Sequence, residues 1–315
     1  MNATAADALL FEARVIAAFG RNYLVRDSAQ RQWRAVRRGK RADVVTGDRV
    51  RCTTANAEAG EAAIDEILPR RSLIFRGDLV RTQELAANLD QVAVVYAVRP
   101  AFSTALIWRA LLASHASSVD SLVILNKSDL AGGDEAAPNV LARLGALGYQ
   151  TVALSAKQQP DAARTLLVPR LRGRTTLLVG QSGMGKSTLI NLLVPDAGAR
   201  TQEFSARLNV GRQTTTASRW FDLPGAEGGA LIDIPGFQDF GLAHLTPMQV
   251  AAAMPDLAHW LGQCRFNDCR HQDEPGCAIV AAVGGGEIDV ARYTFFRELA
   301  LALEGGGQRK RRARP

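Results

Sequence analysis

Near the start of the chain, apolar residues come in short runs separated by glycine-bearing polar turns. The runs Ala13–Phe19, Tyr23–Arg26, Gln32–Val36, Asp48–Cys52 and Ala62–Leu68 are broken by Gly20-Arg21-Asn22, by Gly39 and by Gly47-Asp48. Short runs punctuated in this way predict strands, and five in so small a unit predict an all-β barrel. An OB-like barrel fits best, with an SH3-like one as the alternative.

After about Phe75 the pattern changes. Continuous apolar runs such as Gln91–Val98 and Leu122–Leu125 alternate with stretches of helical spacing such as Thr104–His115 and Val140–Leu147. Alternation of this kind predicts an α/β sheet with ligand loops at the strand ends. From Thr246 onward helical character dominates. The expected fold class is therefore multidomain α/β: an OB-like barrel over residues 1–75, an α/β domain over 76–242, and a mainly helical domain over 243–304. Residues 305–315, rich in glycine and then in arginine, are expected to form a flexible basic tail, either touching RNA or simply solvated.

A chain of 315 residues with 47% apolar content can bury cores for two or three such units. Net charge is +7 and the isoelectric point near 9.6, which suggests a polyanionic partner. No apolar stretch reaches membrane-spanning length, and Met1–Asp7 lacks the layout of a signal peptide. A cytoplasmic monomer without membrane contact is expected.

The chemistry concentrates in a few motifs. Gly180-Gln181-Ser182-Gly183-Met184-Gly185-Lys186-Ser187, followed by Thr188, matches G-x-x-x-x-G-K-[ST] between an apolar strand, Thr175–Val179, and a helical run. Glycines let backbone N–H groups close on phosphate oxygens, Lys186 would reach the β- and γ-phosphates, and the Ser187 hydroxyl would ligate Mg²⁺. Asn126-Lys127-Ser128-Asp129 follows a second apolar strand. The Asp129 carboxylate would accept two hydrogen bonds from guanine, a pair that adenine does not offer. Asn126 would tie this loop to the phosphate loop, the Lys127 stem would cover the base, and backbone N–H groups around Ser155-Ala156 would meet the guanine O6.

Asp233-Ile234-Pro235-Gly236 ends the strand Ala230–Asp233, placing a carboxylate where it can hold Mg²⁺ through water, with the Gly236 N–H near the γ-phosphate. One hydroxyl among Thr214, Thr215 and Thr216 would complete the metal shell, and the sequence does not choose among them. Phe237 follows Gly236, and a phenyl ring cannot orient an attacking water by hydrogen bonding. Slow intrinsic hydrolysis and activation by a partner are expected.

Two further clusters stand outside the nucleotide motifs. The barrel carries Arg31, Arg34, Arg37, Arg38, Lys40, Arg41, Arg49 and Arg51 around Trp33. Guanidinium groups of this kind suit RNA phosphates, while Trp33 could stack on a base or fill the barrel core. Cys264, Cys269, His271 and Cys277, spaced C-x4-C-x-H-x5-C, can close a tetrahedral Zn²⁺ shell with no position left for substrate water, so one structural zinc is expected. Cys52 stands apart and is expected to be a buried thiol.

The guanine tetrapeptide stands upstream of the phosphate loop, the reverse of the usual GTPase order, with the cyclic order of the motifs kept. The chain thus resembles circularly permuted GTPases, in which Pro160–Arg174 would join what are elsewhere the two termini. With its barrel and its zinc segment it is similar to the RsgA family of small ribosomal subunit biogenesis GTPases. That resemblance implies GTP hydrolysis to GDP and phosphate stimulated by the small (30S) subunit, contact with its rRNA, and a role in its late maturation. Family members commonly carry a histidine before the threonine run, whereas this chain has Gln213 there. Gln213 is the candidate for positioning the attacking water beside Lys186 as a catalytic group, and a solvent-facing loop glutamine is the alternative. Two rival functions remain: a GTP-dependent metal-handling protein, and an RNA-binding protein whose nucleotide is structural.

Overall fold

The structure, a computed structural model, describes residues 9–39, 43–78, 82–130, 132, 135–198, 218–225, 228–234 and 239–312. Five strands come first: β1 (Leu10–Phe19), β2 (Asn22–Asp27), β3 (Gln32–Arg37), β4 (Arg49–Asn56) and β5 (Glu61–Ile67). They pair in the order β1-β2-β3-β5-β4, and β4 returns to β1, closing an OB-like barrel. Alternate residues point inward, so Val15, Tyr23, Val25, Trp33, Val50, Cys52 and Ile64 form its core. Burial pushes the Cys52 thiol up to about 12, which leaves it inert.

Strand β1 does two jobs. Its first half, Leu10–Arg14, pairs with β4, the register shifts between Val15 and Ala17, and Ala17 and Ala18 then pair with Arg219 and Ser218 of β12 (Ser218–Asp222). An irregularity of this kind bends a strand and increases its twist, which lets one strand close a barrel and also join a second sheet. The result is an 11-stranded sheet running through both units.

Its second part has the order β10-β9-β8-β11-β13-β12, with β8 (Gln91–Ala97), β9 (Asp120–Asn126), β10 (Gln150–Ala153), β11 (Thr175–Val179) and β13 (Ala230–Asp233) all parallel, and β12 antiparallel to β13. Strands β8 and β11 are buried along their whole length, as a parallel sheet covered on both faces requires. Helices α1 (Thr104–Ala116), α2 (Ala136–Ala146), α3 (Pro160–Leu171) and α4 (Lys186–Leu193) pack around it. Pro160–Arg174, the expected joint of the permutation, is mostly helix α3.

A hairpin of β6 (Leu73–Gly77) and β7 (Thr82–Ala87) lies between the two units, so the expected boundary at residues 75/76 falls inside β6. The barrel grips it closely. Gly47 has a φ of +94°, and a Cβ there would run into the Ala87 carbonyl oxygen. Asp48, fully buried, accepts from Arg70 Nε (2.7 Å) and Nη2 (2.8 Å) and from the Val45 N–H (2.8 Å).

The C-terminal region is helical, as expected: α5 (Pro247–Ala252), α6 (Pro255–Ala258), α7 (Ala278–Gly285) and α8 (Val290–Arg312). A capping box at Thr246 starts α5. The region packs on helix α1 of the α/β unit through Phe295 against Trp108 (centroids 5.2 Å apart) and is pinned internally by a buried bidentate pair of Arg292 with Asp256. The tail expected to be flexible from residue 305 instead continues α8 to Arg312.

Candidate functional site

The guanine and phosphate loops meet at the C-terminal ends of β9 and β11. Asn126, last residue of β9 and buried, links them: its Nδ2 donates to the Met184 carbonyl (3.0 Å), and its Oδ1 accepts from the Ala156 N–H (3.1 Å). Gly185 has a φ of +96°, and a Cβ there would collide with the Asn126 amide, so the last glycine of the phosphate loop makes room for this tie. The Ala156 N–H, expected to meet the base, is already held by Asn126. Lys127 takes the left-handed conformation, φ +58°, and its ammonium reaches the carbonyls of Gly183 (2.8 Å) and Arg99 (3.1 Å). Ser128 and Asp129 begin a single 3-10 turn, and the Ser155 hydroxyl donates to Asp129 Oδ1, orienting the carboxylate.

In the phosphate loop, Gln181 Oε1 accepts from the Ser103 N–H (2.8 Å), which anchors the loop to the start of α1. Lys186 donates to the carbonyls of Gly180 (2.5 Å) and Gln181 (3.0 Å), so its ammonium lies folded over the loop. Gly180 through Gly185 thereby wrap the N-terminus of α4, where Ser187 and Thr188 stand in the first turn. Burial pulls the Lys186 ammonium down, and Asp233 works against that shift. Burial pushes the Asp233 carboxyl up, opposed by Lys186 and Arg219. The three groups form one charge cluster.

Arg219 was not anticipated from any motif. It lies on β12 directly across from Asp233, and its buried Nε has no hydrogen-bond partner among the described residues. Only the strand pairing reveals it. Gln213, Thr214, Thr215, Thr216 and Gly236 lie outside the described residues, as does Phe237.

After that segment the chain is held firmly. Phe240 is fully buried, the Gly77 N–H donates to the Asp239 carbonyl and the Gly241 N–H to that of Phe75, and Arg109 pairs with Asp239 at 3.3 Å. Residues 239–241, which lead into the C-terminal helices, therefore run along β6 of the hairpin.

The second cluster brings Cys264, Cys269, His271 and Cys277 together, with one ligand atom from each and all within 4.8 Å of one another. His271 Nδ1 is 3.4 Å from Cys264 Sγ and 3.7 Å from Cys277 Sγ, while these two sulfurs are 3.9 Å apart. A disulfide needs about 2.05 Å, whereas tetrahedral bonds of about 2.0–2.3 Å to a common ion put ligands at separations like those observed. The donor set fits a metal ion. Glu274, which the spacing did not single out, braces the loop: it accepts from the N–H groups of Arg270 (3.0 Å) and Gln272 (2.9 Å) and lies 3.7 Å from Cys269 Sγ. Burial acts to raise its carboxyl, but those donors prevail and hold it down to about 2. The Tyr293 hydroxyl fastens the same loop to α8 through the carbonyls of His271 and Gln272.

The barrel's arginines are not a bare basic face. Arg34 pairs with Glu61, Arg37 with Asp43, Arg38 with Asp65, Arg49 with Glu12, and Arg51 with Glu66. Lys40 and Arg41 lie outside the described residues. Trp33 is 4% exposed, donates from Nε1 to Asp27 (2.9 Å) and is capped by the Arg31 guanidinium. It is a core residue, and base stacking on it is ruled out.

Comparison with known proteins agrees with this geometry. Residues 67–243 match the model of the RsgA GTPase family. A small ribosomal subunit biogenesis GTPase RsgA from Paraburkholderia phytofirmans is 48% identical over 289 residues, covering 90% of this chain and 91% of that protein. One from Burkholderia pseudomallei is 47% identical, covering 91% of each. The crystal structure of YjeQ from Thermotoga maritima aligns with a TM-score of 0.65 at 27% identity, over 94% of this chain and 99% of that one. YloQ, a circularly permuted GTPase, aligns at 0.64 and 24% identity, over 97% and 98%, and supports the fold.

Proposed function

Because the chain belongs to the RsgA GTPase family, we propose that this GTP-hydrolysing enzyme works as a switch in late maturation of the small ribosomal subunit, contacting its rRNA and accelerated by it. The observation that carries this reading is the two-handed tie of Asn126, which joins a guanine-reading loop to a phosphate loop placed after it in the chain. In this reading the barrel ends with β5 at Ile67, the permuted GTPase unit takes in the β6–β7 hairpin and runs to residue 242, and residues 243–304 hold one structural Zn²⁺ through Cys264, Cys269, His271 and Cys277. A cytoplasmic setting follows from the substrate. Among the described residues no helix is long and apolar enough to cross a membrane.

GTP would sit with its base against Asp129, fixed by Ser155, and under the Lys127 stem. Its phosphates would lie in the loop Gly180–Lys186, whose N–H groups and α4 N-terminus favour anions. To meet them, the Lys186 ammonium would exchange the carbonyls of Gly180 and Gln181 for phosphate oxygens. Mg²⁺ would be held by the oxygens of Ser187, by one of Thr214 to Thr216 and, through water, by Asp233. It would supply charge neutralisation of the β- and γ-phosphates. Asp233 is suited to this, being a hard oxygen donor kept beside two cations. Positioning of the attacking water is assigned to Gln213 or to a group that the ribosome contributes.

Of the rivals, metal delivery is disfavoured because all four ligand atoms already converge on one point. A purely structural nucleotide is disfavoured by the Lys186, Asp233 and Arg219 charge cluster. The deciding experiment is multiple-turnover phosphate release with GTP and with ATP, in the presence and absence of purified small subunits. GTP-selective turnover that rises with subunit concentration is expected, and turnover indifferent to subunits would overturn the proposal.

A further inference from the structure

A cleft of about 540 Å³ opens where the barrel meets the α/β sheet. Barrel residues Glu12, Arg14, Arg26 and Arg49 line one side, and Arg174, Trp220 and Asp222 line the other. Arg174 and Thr175 lie at the start of β11, whereas the phosphate loop follows its end, so this cleft is at the opposite edge of the sheet from the nucleotide.

Most charges in the cleft are already paired. Arg26 grips Asp222 with two hydrogen bonds (2.5 and 2.8 Å), Arg49 holds Glu12 (2.9 Å), Arg174 holds Asp120 (2.6 Å), and Asp27 accepts from the Arg31 N–H and Trp33. Arg14 is different. Among the described residues its guanidinium has no carboxylate of its own and rests on the Trp220 ring, 4.7 Å from the centroid. Burial pulls Arg14 below the ordinary arginine range, Arg26, Arg49 and Arg71 add to that shift, and Asp222, already committed to Arg26, only partly opposes it. A partly buried guanidinium surrounded by like charges is stabilised by an anion from outside, and its planar donor fork matches phosphate oxygens.

We propose that this cleft is an anion site in which Arg14 binds a phosphate group, delivered by an RNA backbone running across the junction of barrel and sheet. The source of the phosphate rests on the rRNA reading above, and a free phosphate compound is the other source of the same chemistry. Arg34, Arg37, Arg38, Arg49 and Arg51 on the barrel are held by neighbouring acids, whereas Arg14 is partly buried beside like charges with no such acid among the described residues, so an added anion benefits it.

The test uses the full chain with two probes, a single-stranded oligouridylate and inorganic pyrophosphate. RNA affinity is measured across a salt series for wild type, for Arg14→Gln, and for Arg164→Gln, which removes a charge on α3 away from the cleft. Arg14→Gln should weaken RNA binding by about tenfold and flatten the salt dependence by about 0.7 in log–log slope. Arg164→Gln should leave the slope unchanged. In the wild-type protein, where folding is not at issue, RNA should shield Arg14 from phenylglyoxal modification as read by mass spectrometry. Shielding by pyrophosphate with none by RNA would assign the site to a small phosphate compound. No shielding by either probe would overturn the proposal. Subunit-stimulated GTP turnover measured on the same samples keeps the two readings apart: if it persists while Arg14 is unshielded, only the cleft assignment falls.

Discussion

In the proposed site, base selection would rest on the single carboxylate of Asp129, which the Ser155 hydroxyl orients. Asp129→Asn should therefore weaken GTP binding by about tenfold or more and admit xanthosine triphosphate, whose exocyclic oxygen complements an amide donor. Titration of both nucleotides checks this, and unchanged GTP affinity would remove Asp129 from the base site. At the metal cluster, Cys269→Ser should release zinc and loosen the loop that Glu274 and Tyr293 brace, with GTP affinity largely kept. Elemental analysis together with a nucleotide titration reads both effects. Residues such as Asn126 and Lys186 were legible because their chemistry is local and their spacing fixed. Trp33 was not: alternation places it on one face of β3, but only barrel closure determines that this face is interior. The carboxylate partners of Arg34, Arg38 and Arg51 were hidden for a related reason, since cross-strand neighbours are distant in sequence.

Among the elements, β1 matters most, because its register shift lets it serve both barrel and sheet. The strand it joins, β12, begins at Ser218, two residues after Thr216, and the Ser218 hydroxyl is hydrogen-bonded to that of Thr46 in the barrel (2.6 Å). If GTP engages the threonine run as proposed, the next described strand along the chain is one that the barrel holds. Such a long-range pairing leaves no trace in local patterning, whereas the strands themselves were readable from their apolar runs. The β6–β7 hairpin went unseen because Arg76, Gln83 and Glu84 interrupt the alternation that marks a strand. That hairpin is locked to the barrel through Arg70, which pairs with Asp48 of the barrel and with Glu84 of β7 (3.0 Å). Asp48→Ala removes the fully buried partner of Arg70, which keeps Glu84 and the Asp43 carbonyl, and should cost about 2–3 kcal/mol of stability. Chemical denaturation with tryptophan fluorescence measures it, and a loss below about 1 kcal/mol, typical of exposed ion pairs, would mean that the pair is not a clamp.

For the molecule as a whole, two routes lead away from the γ-phosphate end of the site: β12 into the barrel, and residues 239–242 along β6 into the C-terminal helices. Both are hydrogen-bonded and buried, so a nucleotide-dependent change at either segment has a physical path to an outlying unit. Coupling of this kind is reciprocal: a subunit that prefers the GTP-bound shape must also tighten GTP binding. The most direct measurement is the equilibrium affinity of the full chain for purified small ribosomal subunits, with GDP and with a non-hydrolysable GTP analogue under the same salt and Mg²⁺. Binding at least about fivefold tighter with the analogue, a coupling of about 1 kcal/mol, is expected; equal affinity in the two states would contradict a GTP-driven switch on the small subunit.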